Sequence, residues 1–404
     1  MSALGRAHRD VATIASATRV PGALVLGANY RALGVVRSLG RRGIPAWLVV
    51  DDHMLAATSR YVRRRVHAPA GGPLSRLQFI MRLAIDEGLD GWVLIPTTDA
   101  DAELVAQHHA RLSEHFLVGV PPWDVLRWAH DKRLTYALAQ RCGVAHPWTI
   151  VASDEDALEA ASGHFPVIVK PAYKLETNAL TAAKAWAAED PRELLAAYRE
   201  ACRLMPATAL LIQEFVPGDG ATQLSHASLA IDGQAIASLC ARRARQWPMR
   251  IGRASTFVET IADPEVERAA SRLLAAMRFT GLIEIEFKRD PHGVLQLLDM
   301  NPRVWGWHSI GSRAGVDFPY LLWRHLRGED VAPARGRPGV RWIRLATDLP
   351  TAFSEIARRR LSVADYVRSL RGPLEGAIFA PDDPLPGFCE LPIIARLALQ
   401  RRRL

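Results

Sequence analysis

Lysine is scarce in this chain: of 51 basic residues only five, Lys132, Lys170, Lys174, Lys184 and Lys288, are lysine. Where arginine is the default base, each lysine marks a place where a compact ammonium suits the ligand, because the two cations are not interchangeable at a phosphate. Cysteine is scarce as well. Cys142, Cys202, Cys240 and Cys389 stand far apart without a C-x-x-C pair, which argues against a zinc site or a disulfide framework and for reduced thiols in a cytoplasmic protein. No stretch approaches the roughly 18 consecutive apolar residues of a membrane helix, so stable membrane insertion is not expected. Residues 1–20 read as a polar leader, with Arg6, Arg9 and Asp10 where the apolar part of a secretion signal would lie. The net charge is +9, with arginine runs such as Arg63-Arg64-Arg65 and Arg401-Arg402-Arg403. No aromatic residues interleave with them as a stacking platform, so a nucleic-acid partner is not expected.

What is present suits a globular protein of two or three domains: 404 residues, 49% hydrophobic and 23% charged. The fold class is α/β. Gly22 to Gly27 reads as a short buried strand, Ala32 to Leu39 has helical spacing, and Ala46 to Val50 is a second strand ending in Asp51-Asp52. Gly91 to Pro96 is another strand, running into Thr97-Thr98-Asp99 and a helix from Ala100 to Leu112. Ligands of open α/β sheets gather at such strand ends, which makes Asn29, Thr98 and Asp99 substrate-site candidates. Further along, strands are expected at Phe165 to Pro171, Leu210 to Val216, Ser225 to Ile231 and Ala235 to Leu239. Helices are expected at Pro191 to Leu204 and Pro264 to Arg278.

The most informative residues lie near 290. Gly281 to Arg289 and Val294 to Met300 form a strand pair across Asp290-Pro291-His292-Gly293. Residues i and i+2 of a strand share a face, so Asp299 and Asn301 point the same way and Glu286 can face them across the ladder. Two carboxylates and an amide oxygen suit Mg²⁺, which takes hard oxygen ligands and shares them with substrate phosphates. Lys170 ends an apolar strand and Lys132 sits on a helix, so both can project into one cleft as phosphate-binding charges. Gln213 to Gly220 is a strand running into a glycine turn able to grip a base.

Over roughly residues 22 to 330 these elements resemble the ATP-grasp superfamily, and within it the carboxylate–amine ligase branch that includes D-aspartate ligases. Gly27 to Gly34 is similar to the opening of a pre-ATP-grasp domain. Asp131-Lys132 with Cys142-Gly143-Val144 and Pro147 is similar to the first ATP lysine and its sequel, and Phe165 to Pro171 to the second. Lys184-Ala185 sits where the family's mobile loop ends, Gln213 to Asp219 resembles its hinge, and Glu286 with Asp299 to Arg303 resembles its metal end. The resemblance implies a Rossmann-like domain over 21–127 and a two-lobed ATP-grasp domain over 128–330, α+β in its core. The first lobe would be 128–216 and the second 217–330, followed by an extension of uncertain structure over 331–404.

By the same resemblance Lys132 and Lys170 would neutralise the α- and β-phosphates of ATP. Gln213 to Val216, with Glu214 and Phe215 between, would hold the adenine, and Asp219 the ribose. Glu286, Asp299 and Asn301 would bind Mg²⁺, or Mn²⁺ in its place, and Arg303 would meet the γ-phosphate or an acyl phosphate. The implied activity joins a small carboxylate, such as an amino acid, to an amine with release of ADP and phosphate, and a homodimer is a common assembly of such ligases. Arg242, Arg243 and Arg245 lie between hinge and metal strands. They are candidates to stabilise the oxyanion, with Arg242 and Arg245 preferred. Trp307 and His308 follow Arg303 and would wall a substrate pocket, His308 as acceptor of the amine's proton. Two other classes compete: a nucleotide-binding protein without turnover, and a dinucleotide-dependent oxidoreductase. The latter is suggested by Asp51 beyond Gly27 but lacks the G-x-G-x-x-G spacing. Leu391 to Leu404 has an apolar face and a basic end that suit either packing on the body or contact with an anionic membrane surface.

Overall fold

Ala23–Leu26 (β1) is apolar and buried at every position, as a strand covered on both faces must be. The computed structural model describes residues 20–51, 53–173, 178–249, 252 and 254–401, with side chains to residue 397. The leader up to residue 19, Lys174 and the arginines at 402 and 403 lie outside the described residues. Around β1 stand Ala46–Val50 (β2), Val62–His67 (β3), Trp92–Pro96 (β4) and Phe116–Val118 (β5), all parallel, in the order β3-β2-β1-β4-β5. The Arg63-Arg64-Arg65 run falls in the edge strand β3 and is exposed, where charge discourages further strand pairing. Gly27 ends β1 at φ +96°, and a β-carbon there would stand 2.8 Å from Thr97 Oγ1. Only glycine lets the chain turn so tightly into the helix Tyr30–Gly40.

A second, antiparallel sheet comprises Thr149–Val151 (β6), Val167–Pro171 (β7), Trp186–Ala188 (β8) and Leu210–Glu214 (β9), in the order β6-β9-β7-β8. It has a core of its own, in which Val167, Val169 and Ile212 meet Leu194 and Tyr198 of the helix Pro191–Leu204.

The third sheet is the largest. Its strands are Gln223–Ile231 (β10), Gln234–Trp247 (β11), Ala254–Ile261 (β12), Gly281–Arg289 (β13), Leu295–Asn301 (β14), Ala334–Arg335 (β15), Arg341–Ile343 (β16) and Leu374–Gly376 (β17). They run in the order β14-β13-β10-β11-β12-β16-β17, with β15 beside β11. Two expectations change here. The strand expected to stop at Leu239 continues to Trp247, so the arginines at 242–245 belong to it. The segment after residue 330 is not a separate extension: β15, β16 and β17 complete this sheet.

The first and third sheets share one core, in which Leu33 and Val36 join Leu229, Trp305, Phe318 and Trp342. Beyond β17 the chain returns to the first domain. Buried Asp383 accepts from Arg37 Nε at 2.9 Å, Ser59 Oγ at 2.6 Å and the Arg60 amide at 3.0 Å. Asp382 pairs with Arg41 at 2.8 Å.

Candidate active site

A cavity of about 320 Å³ opens where the three sheets meet. Lys132 opens the helix Lys132–Arg141, whose first turn is capped by the Asp131 carboxylate, so its backbone is fixed at the cavity wall. Its Nζ stands 2.8 Å from Asp299 Oδ1. Burial alone would lower the Lys132 pKa, but the Asp299 carboxylate overrides it and holds the ammonium above its ordinary value. Lys170 lies near the end of β7, 7% exposed, and donates to Tyr136 Oη and Gln213 Oε1, both at 2.7 Å. Neither partner carries charge. Burial, then the nearby Lys132 charge, pushes Lys170 down to about 7.

On the opposite wall Glu286 of β13 stands in register with Asp299 of β14, and Glu284 with Asn301. This is the facing arrangement that period-2 spacing predicts. Asn301 Nδ2 donates to Glu286 Oε1 at 2.7 Å and Arg303 Nη2 donates to Asn301 Oδ1 at 3.0 Å. Arg303 is held in turn by Asp99 at 2.7 Å. Arg243, buried on β11, reaches Glu284 at 3.0 Å and Glu286 at 2.5 Å. Its guanidinium holds the Glu286 carboxyl well below the usual carboxylate range despite burial.

The hinge side is built by Glu214, Phe215 and Val216, all lining the cavity, and by Lys288. Lys288 Nζ donates to the carbonyls of Val216 and Gly218 at 2.9 and 2.8 Å, and burial lowers it to about 8. Tyr30, Arg31, Gly306, Trp307 and Trp342 close the far end. Trp307 donates through Nε1 to Glu284 Oε1 at 2.9 Å.

The placement differs from expectation at several residues. Arg242 points outward and pairs with Glu259 at 2.9 Å, and Arg245 is buried against Asp348 at 2.8 Å; neither lines the cavity. The strand is irregular between Arg242 and Arg245, so simple alternation does not predict which arginine turns inward; Arg243 does. Gln213 lines the cavity, but its amide is engaged by Lys170 and by Thr149 Oγ1 at 2.7 Å rather than free to read a base. Asp219 caps the turn Gly220–Thr222 and lies off the lining. Asn29 and Thr98 cap the helices Tyr30–Gly40 and Asp99–Gln107, and Asp99 acts on the cavity through Arg303. His308 is 1% exposed, lies off the lining, and is kept neutral by burial, at about 4, so it is not placed to take a proton from an amine. Arg31, Arg243, Glu284, Lys288 and Trp342 were not among the candidates preferred from the sequence. For Lys288 the rarity of lysine was a usable signal, and for Glu284 its place two residues before Glu286 on the same strand; the others depend on contacts between distant segments.

The donor set favours a small hard cation. Among the described residues no group of three or more His, Cys, Asp or Glu side chains forms a metal cage. Glu286, Asp299 and the Asn301 amide present oxygens with cationic neighbours on either side. That fits a cation shared with a polyphosphate and kept largely hydrated.

A parallel sheet, a small antiparallel lobe and a large antiparallel sheet thus meet around one charged cleft. Residues 208–346 match the family described as "ATP-grasp in the biosynthetic pathway with Ter operon". The chain has the ATP-grasp fold. It is 22% identical to the D-aspartate ligase of Enterococcus faecium (strain Aus0004) over 302 residues, 69% of this chain and 70% of that protein. Among solved structures it is similar to the biotin carboxylase domain of Hydrogenobacter thermophilus 2-oxoglutarate carboxylase in complex with MgADP. There the TM-score is 0.61 at 19% identity, over 79% of this chain and 73% of that one. The L-amino acid ligase from Bacillus licheniformis gives a TM-score of 0.59 at 16% identity, over 76% of this chain and 74% of that one.

Proposed function

We propose that the protein is an ATP-dependent carboxylate–amine ligase that activates a small carboxylate as an acyl phosphate and couples it to an amine, forming a carbon–nitrogen bond and releasing ADP and phosphate. The observation that carries this reading is the meeting of Lys132 and Lys170 with Glu286, Asp299, Asn301 and Arg303 across one cavity. Phosphoryl transfer asks a protein chiefly for positioning and charge stabilisation, and these groups supply both. Glu214, Phe215 and Val216 form the base-binding edge, with Lys288 fixing the Val216 carbonyl. Lys132 and Lys170 meet phosphate oxygens. Glu286, Asp299 and Asn301 would hold Mg²⁺, or Mn²⁺ in its place, which when bound neutralises charge on the polyphosphate.

Arg303, anchored by Asp99, faces the transferred phosphoryl group. Arg243 sits in the cavity wall beside Glu286 and is the better candidate than Arg242 or Arg245 to stabilise the oxyanion formed when the amine attacks. Trp307, Trp342, Tyr30 and Arg31 wall the acid and amine, which the named relatives suggest are amino acids. We place the division into domains near residues 130 and 216, with the large lobe extended to β17. The separated free cysteines support a reducing compartment, and no helix among the described residues is long and apolar enough to cross a membrane.

The test is ADP release with Mg²⁺-ATP and pooled amino acids and other carboxylates, with hydroxylamine as the amine, beside Glu286→Gln. ADP with hydroxamate, both lost in the variant, is the expected result. No ADP release in any pool would leave a substrate outside the pools or a binding protein without turnover, tight Mg²⁺-ATP binding favouring the first; dinucleotide binding without ATP binding would refute the reading.

A further inference from the structure

Large exposed apolar side chains are unevenly distributed. Sixteen are exposed among the described residues, and ten of these fall between Leu345 and Ile394. Leu345, Leu349 and Phe353 repeat at four-residue spacing on the helix Leu345–Ala357, beside the buried face that carries Asp348, Thr351 and Glu355. Val363 and Val367 do the same on Val363–Ser369, and Leu385, Phe388 and Leu391 follow at three-residue spacing on Leu385–Arg401. Phe353 and Phe388 are 76% and 71% exposed. The three helices are tied together on their inner sides. Arg245 joins Asp348 of the first to Ser369 of the second, and Arg344, just before the first, pairs with Glu390 of the third at 2.8 Å. These linked helices thus carry, on their exposed sides, a concentration of apolar side chains of a kind that soluble monomers seldom leave open.

The charges around this surface are one-sided. Every carboxylate from Asp348 onward among the described residues is ion-paired: Asp348 with Arg245, Glu355 with Arg358, Asp365 with Arg368, Glu375 with Arg313, Asp382 with Arg41, Asp383 with Arg37 and Glu390 with Arg344. Arg359, Arg360, Arg371 and Arg396 are exposed and have no carboxylate partner among the described residues. Exposed Leu and Phe bordered by unpaired arginine is the pattern of a surface that lies in the interface of a bilayer, with apolar side chains at the acyl boundary and cations at the headgroups. No helix here is long and apolar enough to span one.

We propose that this three-helix face binds the surface of an anionic phospholipid bilayer. The binding is peripheral and reversible, and it leaves the ligase cavity, built on other elements, facing the aqueous phase. It stands whatever reaction the cavity carries out.

The test is co-sedimentation of the full chain with vesicles of phosphatidylglycerol and phosphatidylcholine in equal parts, against phosphatidylcholine alone, at low and high salt. Binding to the anionic vesicles that weakens with salt is expected. Arg359→Gln with Arg360→Gln should reduce partitioning roughly 25-fold, since each arginine near an anionic surface contributes roughly fivefold. Phe353→Ser with Phe388→Ser should abolish it. Because these side chains are exposed, both variants should melt as the parent does, which separates lost binding from lost folding. Equal binding to neutral vesicles, or none to anionic ones, would overturn the proposal. So would a concentration-dependent dimer in sedimentation velocity that the phenylalanine variant dissociates without any vesicle effect, which would make the face an interface between copies of the chain.

Discussion

Replacing Lys170 by methionine should stabilise the ligand-free protein while weakening its hold on ATP. The ammonium is 7% exposed and its two hydrogen-bond partners are neutral. Its fall from 10.5 to about 7 means that the folded state disfavours the charged form, by about 5 kcal/mol at pH values below 7. The unfolded chain binds the proton more tightly, so wild-type stability rises with pH between about 7 and 10.5, and the penalty shrinks to about 2 kcal/mol by pH 9. Methionine removes the penalty but forfeits two hydrogen bonds. The net gain at pH 6 is then about 2–4 kcal/mol, visible as a raised melting temperature whose margin narrows at pH 9.

A polyphosphate reverses the balance by giving Lys170 a counter-charge, so binding at pH 8 should take up about 0.9 proton per nucleotide, against about 0.1 at pH 6. Titration calorimetry of Mg²⁺-ATP in buffers of different ionisation enthalpy reads this directly. Proton uptake at pH 8 that survives in Lys170→Met, or that is no larger than at pH 6, would refute the reasoning.

Arg243→Met should lower turnover far more than Arg242→Met, because Arg243 is the guanidinium beside Glu284 and Glu286; steady-state ADP release compares them. Arg245→Met breaks the buried pair with Asp348 and should cost about 3–5 kcal/mol in denaturant unfolding. It should leave turnover per folded molecule unchanged. Asp383→Asn removes the counter-charge of Arg37, itself 4% exposed, and should cost about 3 kcal/mol, with protease nicking of the C-terminal segment as the first sign.

What could be read from sequence was local. The facing of Glu286 and Asp299 follows from period-2 spacing in two strands joined by a short turn, and the lysines stood out because the composition avoids them. Helix caps were harder: Asn29 and Thr98 are good cap residues and good ligand residues, and the sequence does not say which demand they meet. Arg243 was obscured by the irregular pairing of β11, which breaks the alternation that would have pointed to it. Tyr30, Arg31 and Trp342 reach the cavity from segments some three hundred residues apart in the chain, and no short-range pattern encodes that meeting. Strands of two or three residues, such as β15 to β17, carry too little periodicity to register at all.

The return of the chain to Arg37 and Arg41 bears on how the cleft can open. The first and third sheets share a single core and are fastened again by Asp382 and Asp383, so they form one jaw. The β6–β9 sheet keeps its core to itself and meets that jaw chiefly across the cavity. It is the other jaw, and Lys170 travels with it. In the function proposed, closing on a nucleotide would bring a lysine that is only partly charged near neutral pH up to a wall of carboxylates and arginine, and the bite itself would set when that lysine becomes fully a cation.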